Sequence, residues 1–134
     1  MATSDNVLRA GLTPKIRDVP NLISSLTYHA NAPSAHVVIP TPFPRGSGRT
    51  KLYNPPIPEF AVLLTRVPSG EQETHDELEG PSLLIVTQGK GKVTCGACKP
   101  VVAKEGSVLF AGAGTKLTFE ADDELVLYRA FVEA

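Results

Sequence analysis

Apolar positions change their spacing along this chain, and the changes divide it into three stretches. In the first, Val19, Leu22, Ile23 and Leu26 fall at i, i+3, i+4 and i+7, the single stripe of a short helix. Asp18 is placed to cap it, Pro20 is tolerated in a first turn, and the stripe is spent by Tyr28. From 29 to 58 the pattern dissolves. Pro33, Pro40, Pro42, Pro44, Pro55, Pro56 and Pro58 all fall here, around Gly46-Ser47-Gly48. Such a stretch predicts a surface connection without a core, from which Val37-Val38-Ile39 docks as one edge strand. From residue 59 the period becomes two. Strands are expected at 60–67, 82–87, 92–95, 100–103, 106–110, 116–120 and 124–133. The turns between them are marked by Pro68-Ser69-Gly70, Gly89-Lys90-Gly91, Gly112 to Gly114 and Asp122-Asp123. The run Ser82-Leu83-Leu84-Ile85-Val86-Thr87 is nearly all apolar, which predicts burial on both faces. About seven short strands with regular turn signals predict a mainly β protein: an antiparallel sandwich or jelly roll with one short N-terminal helix. The expected organisation is an arm and helix over 1–28, a connection over 29–58 and a β domain over 59–134.

Composition narrows the classes of function. The chain has 134 residues, 42% apolar and 20% charged, with a formal net charge of −1. That is enough chain for one domain with its own core. A near-neutral charge gives no long-range attraction for nucleic acid or a membrane surface, so neither is expected as a partner. Residues 1–20 lack the basic start and apolar centre of a signal peptide, which predicts a cytoplasmic location.

Candidate chemistry is sparse. Ser4 to Lys15 packs Asp5, Arg9 and Lys15 around Gly11 and Pro14. Positions 5 and 9 share a face on a strand and are neighbours on a helix, so an acid and a permanent cation point into the same space. A guanidinium matches planar or tetrahedral anions with paired donors. The competing account is a surface ion pair on a terminal arm. Cys95-Gly96-Ala97-Cys98 has the spacing of a redox couple or half a zinc site, but no second pair is present to complete such a site. Its flanks read as a hairpin, so two thiols beside a Gly-Ala turn is the expectation. Glu73-Thr74-His75-Asp76-Glu77-Leu78-Glu79 reads as a charged, solvated loop, with a metal site at His75 with Glu73, Glu77 or Glu79 as the alternative. Arg45, Arg49 and Lys51 read as a solvated patch or a phosphate contact. His29 and His36 have no evident partners.

The run Ser4-Asp5-Asn6-Val7-Leu8-Arg9-Ala10-Gly11-Leu12-Thr13-Pro14-Lys15 resembles the Ser-Asp-Asn-x-x-Arg-[Ala/Gly]-Gly-Leu-Thr-Pro-Lys signature of the type I mannose-6-phosphate isomerases at every position. Leu52-Tyr53-Asn54-Pro55-Pro56-Ile57-Pro58-Glu59-Phe60 resembles a second segment of that family, and Tyr128 to Ala134 resembles the ending of its fungal members. The resemblance runs the length of the chain but corresponds only to the C-terminal portion of a family enzyme.

It implies a cupin-like β-barrel belonging to a zinc-dependent enzyme. That enzyme interconverts mannose 6-phosphate and fructose 6-phosphate for GDP-mannose synthesis. By motif position, Arg9 corresponds to the family's essential active-site arginine, Asp5 to an aspartate that assists it, and Lys15 to a lysine that helps hold the anionic substrate. The family's zinc ligands, a glutamine, a glutamate and two histidines, all lie upstream of the motif. None of these positions falls in the chain, and Met1 is expected to correspond to an internal methionine. The implied partners are a small sugar phosphate and the N-terminal catalytic region of the same enzyme. No zinc is expected on this chain, and the isolated chain is expected to be inactive. The alternative is a non-catalytic, cupin-like module that binds a sugar phosphate or a partner.

Overall fold

Alternation of apolar and polar side chains folds most of this chain into strands, because each strand then has one face to bury. The computed structural model of the protein describes residues 8–9, 14–96 and 98–132. It divides into two units, Met1–Val37 and Val38–Ala134.

In the first unit, the helix α1 spans Val19–Ser25. Asp18 caps it, accepting from the Asn21 backbone N–H, and Pro20 sits in the first turn, where no backbone donor is needed. A single 3-10 turn follows at Pro33–His36.

The second unit is a sandwich of two antiparallel sheets. Its strands are β1 (Thr41–Pro42), β2 (Thr50–Tyr53), β3 (Ala61–Val67), β4 (Gln72–His75) and β5 (Ser82–Gln88). Then come β6 (Lys90–Thr94), β7 (Val101–Lys104), β8 (Val108–Ala111), β9 (Leu117–Ala121) and β10 (Leu125–Phe131). One sheet has the order β1-β2-β3-β10-β5-β8, the other β4-β9-β6-β7. The mainly β expectation with one short helix is met.

Three details differ from the sequence expectation. The edge strand is Thr41–Pro42 rather than Val37-Val38-Ile39, and β2 also comes from the proline-rich stretch. The 72–75 segment is a strand and not a loop. The apolar run in β5 is buried only at alternate positions: Ser82, Leu84 and Val86 face inward, whereas Leu83 and Ile85 are exposed.

The larger core cluster lies between the sheets and includes Val67, Leu84, Val86, Leu117, Phe119, Leu125 and Leu127. A smaller one gathers Phe43, Leu63, Leu78 and Phe131. Gly89 carries the chain from β5 in one sheet to β6 in the other. Its φ is +79°, and a Cβ there would lie 1.9 Å from the Glu124 carbonyl oxygen, so no side chain fits.

Candidate functional site

Arg9 lies half-buried outside any regular element, and Lys15 is exposed beyond Pro14. Both belong to the Met1–Val37 unit. Asp5, expected beside Arg9, lies outside the described residues, as does most of the Ser4–Lys15 motif.

The chemistry that the sequence did not reveal is inside the sandwich. Thr50, Thr65, Glu73, His75, Ser82 and Arg129 are all buried polar residues. Glu73 receives three hydrogen bonds, from Ser47 Oγ, the Arg49 backbone N–H and Thr50 Oγ1 (2.7, 3.2 and 2.8 Å). Thr50 has then used its only proton. The 2.8 Å contact between Thr50 Oγ1 and His75 Nε2 must therefore be donated by the imidazole. With Nε2 protonated, Nδ1 is the acceptor and takes the Arg129 Nη1 donor at 3.3 Å. Thr65 closes onto Thr50 at 3.0 Å, and Arg129 Nε donates to Ser82 Oγ at 2.9 Å. A relay of fixed polarity thus runs from Arg129 on β10 through His75 and Thr50 to Glu73, joining the two sheets.

The His75 ring lies edge-on to Phe43 and Phe119, one from each apolar cluster, with centroids 5.3 and 4.9 Å away. Burial first, and the Arg129 charge second, push His75 down from 6.5 to about 4, against an opposing pull from Glu73. The imidazole is therefore neutral at pH 7. Burial and the charge of Arg45 push Arg129 down to about 10, which leaves it cationic.

The expectation of a solvated loop at 73–79 therefore fails for its first half. Glu73 and His75 are buried, while Asp76, Glu77 and Glu79 are exposed. Asp76 pairs with Lys116 at 2.8 Å. Nor does the alternative metal site form. Both ring nitrogens of His75 are engaged, and no group of three His, Cys, Asp or Glu side chains gathers among the described residues. Cys95 and Cys98 form a disulfide with a Cα–Cα distance of 5.2 Å, which replaces the two free thiols of the sequence reading. The described residues do not fit a zinc ion. Of the basic patch, Arg49 is paired with Glu71. Arg45 lies over the Phe43 ring and donates to the Glu77 carbonyl.

The relay carries a pH dependence. His75 titrates near 4 when folded and near 6.5 when unfolded, so the unfolded chain takes up the proton first. Stability from this group is complete above 6.5, falls as pH drops toward 4, and levels off below. The span corresponds to about 3 kcal/mol. Urea denaturation at pH 7 and pH 4.5 should show most of that loss, and His75→Gln, which cannot take up a proton, should flatten it. An unchanged profile in His75→Gln would remove His75 as the cause.

Comparison with known proteins gives this domain a family. A family model described as phosphomannose isomerase type I C-terminal matches residues 51–97. The mannose-6-phosphate isomerase of Cryptococcus neoformans var. neoformans is 49% identical over 134 residues, covering 100% of this chain and 31% of that protein. The chain belongs to the type I phosphomannose isomerases, as their C-terminal part. The Saccharomyces cerevisiae mannose-6-phosphate isomerase is 45% identical over 99% of this chain and 32% of its own length. A Salmonella typhimurium mannose 6-phosphate isomerase, solved bound to its substrate and a zinc atom, superimposes with a TM-score of 0.78 at 25% identity. The match covers 100% of this chain and 32% of that one. The sandwich is thus the cupin-like fold of phosphomannose isomerases, and the chain spans about a third of the length of the relatives it matches.

Proposed function

We propose that this chain is the C-terminal part of a cytoplasmic mannose-6-phosphate isomerase. It contributes cationic and acidic groups to a pocket whose metal ligands come from outside these 134 residues. The observation that carries the reading is similarity over the whole chain to mannose-6-phosphate isomerases, together with the complete Ser4–Lys15 signature.

An aldose–ketose isomerisation moves a proton between adjacent carbons and builds negative charge on the enediol oxygens. Fixed positive charge and an acid/base group are the protein's means of lowering that barrier. Arg9 fits the first role because a guanidinium remains charged and holds its donors in a rigid fork. Asp5 fits the second, beside Arg9, and Lys15 gives a point charge for the sugar phosphate. Zinc, held by the upstream ligands, would polarise the carbonyl and hydroxyl oxygens. The product would feed GDP-mannose synthesis.

The purified 134-residue protein, supplied with zinc, should not interconvert mannose 6-phosphate and fructose 6-phosphate in a coupled assay. A chimera in which it replaces the C-terminal third of a full-length fungal relative should do so. Zinc-stimulated turnover by the isolated chain, or an inactive but folded chimera, would overturn the proposal. Calorimetry tests the alternative: mannose 6-phosphate binding to the isolated chain that disappears in Arg9→Ala would identify a free-standing sugar-phosphate module.

A further inference from the structure

The outer face of the six-stranded sheet is apolar where a solvent-facing antiparallel sheet should alternate to polar. Leu83 and Phe110 are paired across β5 and β8, as are Ile85 and Val108. Tyr128 lies opposite Ile85 on the other side. Phe110 is 71% exposed, Val108 65%, Leu83 55% and Ile85 44%. With Tyr128 and the nearby Phe60, the exposed area is on the order of 500 Å², at the upper end for the largest patch of a monomer. None of these positions is charged, and the neighbouring residues Lys51, Arg66 and Gln88 supply a polar rim at one end of the sheet. An uncharged centre with a polar rim is the anatomy of an interface.

We propose that this face is where the upstream part of the isomerase polypeptide docks. The inference rests on the functional reading above. Two observations select that occupant over a second copy of this chain. The relatives carry about two thirds of their length beyond the region matched here, enough for a further domain. The polypeptide also enters the sandwich on this same face: Val38, the first residue of the unit, lines an apolar groove with Tyr53, Pro55, Phe60, Val62 and Tyr128. The first residue of the sandwich unit therefore lies beside the patch, and docking within one polypeptide proceeds at high effective concentration. The apolar run Leu83 to Val86 of β5 then has a physical reason: its inner side chains serve this core and its outer ones serve an interface.

Hydroxyl-radical footprinting of the isolated chain and of the chimera tests this. Oxidation of Phe110 and Tyr128 should be about five-fold slower in the chimera, as expected for side chains moved from surface to interface core. In the chimera, Phe110→Asp should lower Tm and restore oxidation of Tyr128. Val102→Asp, on the exposed side of β7, should do neither. Equal oxidation of Phe110 in the two proteins would overturn the proposal. So would protection in the isolated chain that grows with concentration and does not increase in the chimera, which would assign the face to a second copy. An active chimera with Phe110 unprotected defeats this inference and leaves the functional reading standing. An inactive chimera with Phe110 protected does the reverse.

Discussion

Glu73→Ala should destabilise the protein by about 2–4 kcal/mol, the cost of removing the shared acceptor of several buried and part-buried donors. The substitution removes the acceptor of Ser47 Oγ, the Arg49 backbone N–H and Thr50 Oγ1 together. It also frees the Thr50 proton and so removes what fixes the polarity of the contact to His75 Nε2. The loop preceding β2 should loosen at the same time. Gly46 lies so close that a Cβ there would be 2.8 Å from Glu73 Oε1, and the Ser47 backbone N–H is bonded to the Thr74 carbonyl. Denaturant midpoints report the global loss, and hydrogen exchange at Ser47 and Arg49 reports the local one. Ser47→Ala, which removes one donor to Glu73 and the acceptor of the Thr74 backbone N–H, should cost about 1–2 kcal/mol and serves if Glu73→Ala does not fold. The double variant Glu73→Ala with Arg129→Met should be less unstable than the two single losses summed, because both side chains act in one hydrogen-bonded network. A Glu73→Ala protein within about 1 kcal/mol of the wild type, a five-fold change in the folding equilibrium, would show that the relay is not part of what holds the sheets together.

The contrast between this network and the rest of the fold shows what is legible in the residues. Where the inward side chains are apolar, as at Leu117, Phe119 and Ala121 of β9, alternation marks the strand, and the strand is there. In β4 the inward positions are Glu73 and His75, so hydrophobic alternation has nothing to register and the segment passes for a solvated loop. The proline-rich stretch hides β1 and β2 for a related reason, since Thr50 faces inward with no apolar neighbour two residues away on the loop side. One signal is available. Arg129 shares the parity of Leu125, Leu127 and Phe131, all buried, so a guanidinium is due inside the sandwich and needs a partner. Conversely, β5 reads as buried on both faces because local pattern cannot distinguish a core from an interface. The Ser4–Lys15 motif is legible only by resemblance: its charges alone suit an exposed ion pair equally well.

Arg9→Ala, introduced into the chimera with the upstream region of a fungal relative, should lower kcat by about 10²–10³, the range for losing one preorganised donor to a developing oxyanion. The direction follows from when the charge appears. Sugar phosphate carries its phosphate charge before and after reaction, so a residue that only held the phosphate would change KM and leave kcat nearly intact. Charge on the enediol oxygens is absent from the bound ground state and develops as the proton leaves carbon, so a guanidinium aimed there acts on kcat. Lys15→Ala, at an exposed position suited to the phosphate, should show the opposite split and mainly raise KM. Arg9→Lys discriminates further. It retains the charge but replaces a planar fork with a single mobile ammonium, so partial recovery of kcat separates electrostatics from bidentate geometry. Arg9 lies outside the sandwich core, so Arg9→Ala should leave the denaturant midpoint unchanged. An Arg9→Ala chimera that keeps kcat within about three-fold of the parent, a barrier change of less than about 1 kcal/mol, would exclude Arg9 from transition-state stabilisation and reduce the motif to a structural arm.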